Sequence, residues 1–343
     1  MGSVNPSGGD RAVSPWSIWT ALVTVYLVWG STYLAIAVVV QTMPPLLSAG
    51  GRFLLAGALM AGFVALRRGP AVMRLSRPQL AGSAFVGLTL LLGGNGLVMI
   101  GEQSVPSGLA ALIIAVVPLW VVGLRLLGGD SIARGTTVGV LVGFAGVAVL
   151  VIPRGIDGTV ELAGMLMLIA AAGSWAVGSF YSKRLSLPAD PLASTAAQML
   201  LGGAGLVAAG LLAGEVGLLQ AGREFSTESM LALAYLVVFG SIVGFTAYTW
   251  LLQHAPVSKV ATYAYVNPVV AILLGWLILS EEIGLTIVVG GAMIVLAVGL
   301  VLRTESRPRT TLAALDAPPT PAALPATVEV VDDQPAQPTL SRG

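Results

Sequence analysis

The sequence contains no cysteine and a single histidine, His254. Without cysteine the chain can form no disulfide, no thiolate nucleophile and no Cys-based zinc or iron–sulfur site. One histidine likewise leaves little room for imidazole chemistry. The sequence also has no glycine-rich phosphate loop, no His/Glu metal pair and no hydroxyl–base–acid set. We therefore expect a protein that is not an enzyme and that needs no metal or cofactor.

Charge is scarce as well. Only 10% of the 343 residues are charged, whereas 56% are hydrophobic and the mean hydropathy is +0.91; soluble domains carry about 25% charged residues. Apolar runs of about 20 residues have the length of a helix that crosses the hydrocarbon core of a bilayer. The composition therefore predicts an all-α membrane protein with ten transmembrane helices, at 17–40, 46–66, 79–101, 107–127, 136–152, 162–182, 193–214, 230–252, 257–280 and 284–302.

The positive charges predict the orientation of these helices. The loops after the second, fourth, sixth and eighth spans carry nine Lys or Arg residues, and the alternate loops carry two, Arg154 and Arg223. Since Lys and Arg favour short cytoplasmic loops, we expect both termini in the cytoplasm of a multi-pass protein of the inner (plasma) membrane. Residues 1–16 are then a cytoplasmic N-terminal segment. Residues 303–343 include seven prolines and no aromatic residue, which predicts a disordered cytoplasmic tail.

An internal repeat divides the apolar region into two halves, 17–152 and 162–302. The stretch "GRFLLAG" aligns with "AQMLLGG" at an offset of 146, which also places Trp29 on Trp175. Two pairs of prolines keep the same spacing of 12 residues: Pro106 with Pro118, and Pro256 with Pro268. Because each half has five spans, the halves must have opposite orientations, which is the inverted repeat of many secondary transporters.

Four stretches carry a family resemblance: "WGSTYLAI", "PPLLSAGGRFLLAG", "VPSGLAALIIAVVPLW" and "NPVVAILLGWLILSEE". Through them, residues 17–302 resemble the EamA-type transporters of the drug/metabolite transporter superfamily, and the first helix is most similar to its YedA-like exporters. The resemblance implies a ten-helix fold with a substrate path between the halves, and export of amino acids or small metabolites. One departure is that Gly129 and Asp130 stand where many members have a Gly-Glu pair.

Arg52 is the outstanding candidate for substrate binding. It is the one Lys or Arg that we place within a span, where a charge costs about 2.5–3.5 kcal/mol on insertion scales. Its guanidinium could pair with a substrate carboxylate, or it could reach the outer interface or bond to helix-end carbonyls. Its repeat partner, Gln198, keeps a donor without the charge.

None of the 16 acidic residues lies at the centre of a span. We therefore expect no obvious proton relay. Any coupling would run through a carboxylate at a helix edge, through the charge of the substrate or by exchange, and Glu102 lies at an external edge. We expect Asp130 and Glu281 to cap the next helix.

Aromatic and amide side chains complete the predicted site. Trp29, Thr32 and Tyr33 share one face of the first helix, and Trp175 holds the equivalent place in the sixth. The remaining candidate substrate-binding residues are Asn95, Gln198, Tyr248, Tyr263 and Asn267. Mid-span amides and hydroxyls also often form interhelical hydrogen bonds. Pro118 and Pro268 each remove a backbone donor, so a hinge, gating or packing role is expected of them.

These features lead to three hypotheses. The first is an exporter of amino acids or related small amphipathic metabolites that works by alternating access around a central cavity. The second is a broad-specificity efflux carrier for drugs or toxic compounds, for which Arg52 would repel cations. The third is a non-transporting membrane sensor or assembly protein that acts through its C-terminal tail. The expected partners are a small-molecule substrate and the lipid bilayer, with no nucleic acid.

Overall fold

The computed structural model describes residues 14–130, 132–157, 162–220, 224–255, 260 and 262–305. All regular structure in these residues is helical, so the predicted all-α architecture is confirmed for them. Most of the predicted N-terminal segment and almost all of the predicted tail lie outside the described residues. The long helices, in chain order, are α1 (Pro15–Val39), α2 (Pro45–Arg68), α3 (Arg77–Gly101), α4 (Ser107–Leu127), α5 (Arg134–Asp157), α6 (Leu162–Ser182), α7 (Pro191–Leu212), α8 (Thr227–Tyr235, Leu236–Val243 and Gly244–His254), α9 (Tyr263–Leu279) and α10 (Leu285–Glu305).

Eight of these helices are long and apolar enough to cross a membrane, where ten were expected. In the described residues α5 and α9 supply shorter apolar stretches, Arg134–Leu150 and Val266–Leu279. Part of the predicted ninth span, residues 257–259 and 261, lies outside the described residues. At its other end α9 is stopped by Ser280, whose φ of 56° is left-handed and cannot continue a right-handed helix.

Three of the helices are irregular near their middles. Leu88–Gly96 of α3 and Leu236–Val243 of α8 have π-helical hydrogen bonding, which often marks functional sites. In α4 the helix is interrupted between Ile114 and Val117, directly before Pro118, which has no amide proton to donate. Pro268 instead lies inside the continuous helix α9.

Small residues bring matching helices of the two halves into close contact. Helix α2 runs antiparallel to α7: a Cβ added at Gly50 would lie 3.0 Å from the carbonyl oxygen of Gly203. Helix α5 runs antiparallel to α10 in the same way: a Cβ added at Gly146 would lie 3.0 Å from the carbonyl oxygen of Gly290. Since lipid supplies no hydrophobic drive between helices, such close packing is what holds membrane helices together.

Two carboxylates of the second half cap helices of the first. Glu215 accepts hydrogen bonds from the amides of Leu46 and Leu47 at 3.0 and 2.8 Å, and Glu281 accepts from Ser107 and Gly108 at 2.8 and 3.1 Å. Each satisfies donors at the positive end of a helix, α2 and α4 respectively.

The prediction for Glu281 was therefore wrong in its target, because this side chain caps α4 and not the next helix, α10. The left-handed turn at Ser280 and a hydrogen bond from the Glu281 amide to the carbonyl oxygen of Gly275 fold the carboxylate back toward the first half. Asp130 accepts a hydrogen bond from Arg125 Nε at 3.1 Å, an ion pair at the end of its own helix.

The outward surface of the bundle is apolar. Large hydrophobic side chains are exposed along several helices, including Leu59, Leu66, Trp276, Leu277, Leu285 and Leu296. An exposed apolar surface of this extent marks contact with a partner or with lipid, and the length of the helices fits a bilayer.

Candidate functional site

A cavity of about 110 Å³ lies among α1, α2, α3, α4, α6, α8 and α9, so both halves contribute to its wall. Ten of the twelve residues singled out from the sequence line it: Trp29, Thr32, Tyr33, Arg52, Asn95, Pro118, Trp175, Tyr263, Asn267 and Pro268. Gln198 and Tyr248 are not part of this lining. Mostly apolar walls with a few polar groups fit a small-molecule binding pocket.

Arg52 is buried in the wall of this cavity, with 4% of its surface exposed. Its Nε donates a hydrogen bond to Ser241 Oγ at 2.9 Å, and its guanidinium lies 4.6 Å from the centre of the Phe53 ring. Among the described residues no carboxylate forms an ion pair with it. Buried charges are normally paired. Because the terminal nitrogens of Arg52 have no acidic partner among the described residues, they are available to an anionic group in the cavity.

Trp29 is the centre of an aromatic cluster on another part of the wall. Its ring centre lies 5.3 Å from those of Phe245 and Tyr263, and its Nε1 donates to the carbonyl oxygen of Gly240 at 3.3 Å. Tyr248 lies 4.9 Å from the Trp29 ring and supports it from behind. The Trp29 indole fits among these rings because Gly244 has no side chain.

The hydroxyl and glycine residues around Trp29 divide between two faces. Thr32 lines the cavity and donates to the Trp29 carbonyl oxygen at 2.6 Å. Gly30 and Ser31 face neighbouring helices: a Cβ at Gly30 would lie 2.6 Å from that of Val270 on α9, and Ser31 Oγ is 2.6 Å from the Tyr235 hydroxyl on α8. The polar stretch of α1 therefore serves the cavity with one face and helix packing with the other.

Trp175 and Asn95 lie on the wall formed by α6 and α3. A Cβ at Gly94 would lie 2.8 Å from the Trp175 ring, so the glycine allows the indole to pack against the π-helical segment of α3. Asn95 Nδ2 is 3.5 Å from the carbonyl oxygen of Leu90, five residues earlier. Asn95 lies within the π-helical segment Leu88–Gly96 and lines the cavity.

Asn267 brings a second polar group to the cavity. The residue is 7% exposed, and its buried Oδ1 has no hydrogen-bond partner among the described residues. Gln198, the repeat partner of Arg52, is placed differently: its Nε2 donates to Ser194 Oγ at 3.0 Å, one turn earlier on α7. The two repeat-related donors are therefore not equivalent, and only Arg52 reaches the cavity.

Sequence reasoning missed three residues of α8: Gly240, Ser241 and Phe245. Gly240 and Phe245 line the cavity, and Ser241 holds Arg52. A signal for them was present, because Gly240 lies 147 residues after Gly93 of α3. The repeat therefore relates the two π-helical segments.

The comparisons with known proteins agree with this architecture. The model of the EamA-like transporter family matches residues 15–152 and 162–303. The "Uncharacterized inner membrane transporter YedA" of Escherichia coli strain K12 is 40% identical over 259 residues, which are 75% of this chain and 81% of that protein. The "Probable amino-acid metabolite efflux pump" of Salmonella typhimurium is 27% identical over 293 residues, 80% of this chain and 90% of its own.

A solved structure described as "Crystal structure of protein" covers 86% of this chain and 100% of its own, with a TM-score of 0.59 and 21% sequence identity, and so supports the fold. The family match covers both halves that build the cavity. The chain is a membrane transporter and belongs to the EamA-like transporter family.

Proposed function

We propose that this protein is a secondary transporter of the inner membrane that exports amino acids or related small amphipathic metabolites. The halves at 17–152 and 162–302 would form ten spans in inverted orientation, with both termini in the cytoplasm. The cavity would open alternately to the two sides. The names of two relatives, an inner membrane transporter and an amino-acid metabolite efflux pump, support the location and the substrate class.

The observation that carries the substrate class is the pair of unsatisfied polar groups on two residues that line the cavity. Arg52 is a buried cation without an acidic partner among the described residues, and Asn267 Oδ1 is a buried acceptor without a donor. A guanidinium binds a carboxylate in a bidentate geometry, and an amide oxygen accepts from an ammonium group. An amino acid offers both a carboxylate and an ammonium group.

The rest of the wall suits an apolar side chain. Trp29, Phe245 and Tyr263 present ring surface to the cavity, and aromatic rings provide large apolar contact with polar edges. Substrates with aromatic or branched aliphatic side chains would therefore be favoured over strongly polar ones.

The irregular helix segments supply places where the halves could bend. The π-helical segments of α3 and α8 face the cavity, and α4 is interrupted before Pro118. Hinges in proteins are a few element-terminal or irregular positions that absorb dihedral changes. Movement at these positions would open one end of the cavity while the other end closes.

The test is exchange of a mixture of radiolabelled amino acids in proteoliposomes. We expect the wild type to exchange the label, Arg52→Gln to lose exchange, and Arg67→Gln to retain it. Arg67 is the matched control, since it lies on the same helix with an exposed side chain. Exchange by Arg52→Gln at the wild-type rate would contradict the role of the guanidinium.

A second candidate function, efflux of apolar cationic compounds, is favoured by the aromatic cluster around Trp29, since ring faces attract cations. Arg52→Ala separates the two functions. Loss of amino-acid export together with unchanged resistance to cationic drugs supports the first function. Wild-type cells that gain drug resistance but export no amino acid would establish the second. The sensor hypothesis is not proposed, since the chain belongs to a family of transporters.

A further inference from the structure

Glu102, the first residue after α3, is a buried carboxyl group that the cavity does not use. Only 6% of the residue is exposed. Both carboxyl oxygens are buried without a hydrogen-bond partner among the described residues. The backbone amide of Ala37 on α1 approaches the group but forms no hydrogen bond of ordinary geometry. A carboxylate in such a place would be costly, and a buried carboxyl group avoids the cost by holding a proton.

The groups that face Glu102 also favour the neutral form. Tyr33 of α1 and Glu281 interact with it electrostatically, and neither can supply a positive charge. Helix α6 packs against Gly101 through Gly164 and Leu168, which are not ionisable. Arg52 of α2 forms no ion pair with it.

These surroundings set the direction in which Glu102 titrates. Burial, and then the negative charge of Glu281, raise the pKa of Glu102 well above the ordinary value of a glutamate. The dipole of the Ala37 amide opposes that shift to a smaller extent.

Two interactions connect Glu102 to the proposed transport cycle. Tyr33 lines the cavity and interacts electrostatically with Glu102, so the charge of the carboxyl group acts on a residue of the cavity wall. Glu281 belongs to the second half but caps α4 of the first half through Ser107 and Gly108. Any movement of the halves that withdraws Glu281 from α4 changes the distance between the two acidic groups. The proton affinity of Glu102 changes with that distance.

We propose that Glu102 is the proton-binding site that couples this transporter to the proton gradient. One proton adds to a carboxylate oxygen of Glu102 in one conformation and is released to water in the other. A bound metal cation is disfavoured, because hard cations take six or more oxygen ligands. The described residues contain no group of three or more His, Cys, Asp or Glu residues that could hold one. This proposal rests on the proposed transport function, but not on the identity of the substrate.

The first test needs no substrate. Infrared spectra of the full-length wild type, Glu102→Gln and Glu282→Gln are recorded as the pH is raised; Glu282 is the control, an exposed neighbour of Glu281. We expect the wild type and Glu282→Gln to share the C=O band of a protonated carboxyl group at neutral pH, and Glu102→Gln to lack it. Identical spectra for the wild type and Glu102→Gln would overturn the proposal.

The second test separates coupling from binding in proteoliposomes, with a radiolabelled amino-acid mixture as the probe. We expect Glu102→Gln to keep exchange at equal pH and to lose accumulation driven by a pH gradient, and Glu102→Asp to regain part of that accumulation. Accumulation at the wild-type level in Glu102→Gln, or loss of both modes alike, would overturn the proposal. If the wild type transports no amino acid, the proposed substrate class fails, and the infrared titration still decides whether Glu102 holds a proton.

Discussion

Replacing Arg52 by Gln should selectively weaken binding of substrates that carry a carboxylate. Arg52 is buried, with 4% of the residue exposed, and its Nε donates a hydrogen bond to Ser241 Oγ. Its terminal nitrogens are therefore free for a bidentate contact with an anion. Glutamine is shorter and uncharged, so it can supply neither the fork geometry nor the charge.

The size of the effect follows from the burial of the group. Truncating one partner of a buried, hydrogen-bonded charge pair costs about 2–5 kcal/mol. At about 1.4 kcal/mol for each factor of ten, this corresponds to a dissociation constant that rises roughly 30-fold to several thousand-fold. Solvent does not screen the pair strongly, since the side chain is buried. The stability of the free protein should not fall, because the variant removes a buried charge that has no acidic partner among the described residues.

The assay is calorimetric titration of the purified wild type and Arg52→Gln with an amino acid and with its amide, which lacks the carboxylate. The wild type should prefer the acid, and Arg52→Gln should bind the two about equally. Arg67→Gln, the exposed control, should behave as the wild type. If Arg52→Gln keeps the full preference for the acid while its melting temperature is unchanged, the guanidinium does not contact the substrate carboxylate.

Three further predictions test the surroundings of the site. Gly244→Ala should weaken substrate binding by displacing Trp29, because the added Cβ would lie 2.4 Å from the indole Nε1; unchanged binding and unchanged tryptophan fluorescence would contradict this. Glu281→Gln should lower the free energy of unfolding by about 1.5–3 kcal/mol through weaker capping of α4, measured by thermal melting in detergent against Glu282→Gln, which should shift it by less than about 0.5 kcal/mol. Wild-type stability should fall as the pH rises above about 4.3, by up to ~1.4 kcal/mol per pH unit, because the raised pKa of Glu102 keeps a proton on the folded protein that the unfolded chain has lost. Glu102→Gln should lack this part of the slope, and an equal slope in both proteins would contradict the assignment.

Much of the fold could be predicted from the sequence, because apolar length and the internal repeat are local or one-dimensional signals. The helix of Trp29 and the position of Arg52 within α2 follow directly from them. The C-terminal end of α9 was less predictable. The left-handed turn that stops the helix is at Ser280, whereas such a turn is usually signalled by a glycine. The helix that Glu281 caps is set by its hydrogen bonds with Ser107 and Gly108, which are 174 and 173 residues away in the sequence. No local pattern encodes such contacts.

The candidate site was predictable where side-chain chemistry is unusual for a span. An arginine or an asparagine among leucines stands out, and Arg52, Asn95 and Asn267 do line the cavity. Ser241 did not stand out, because one hydroxyl in an apolar helix is common. Glu102 directly follows the third predicted span in the sequence, and its burial results from tertiary packing against α1 and α6, which the sequence does not reveal.

The most direct test of the account is access to the cavity from each side of the membrane. The chain has no cysteine, so Ala264→Cys, at a half-buried residue of the cavity wall, introduces a single thiol. A membrane-impermeant maleimide is applied to right-side-out and to inverted vesicles, with and without an amino-acid mixture. We expect labelling from both sides and a change in the ratio of the two labelling rates when amino acids are present. Labelling from only one side under all conditions, or a ratio unaffected by amino acids, would contradict it.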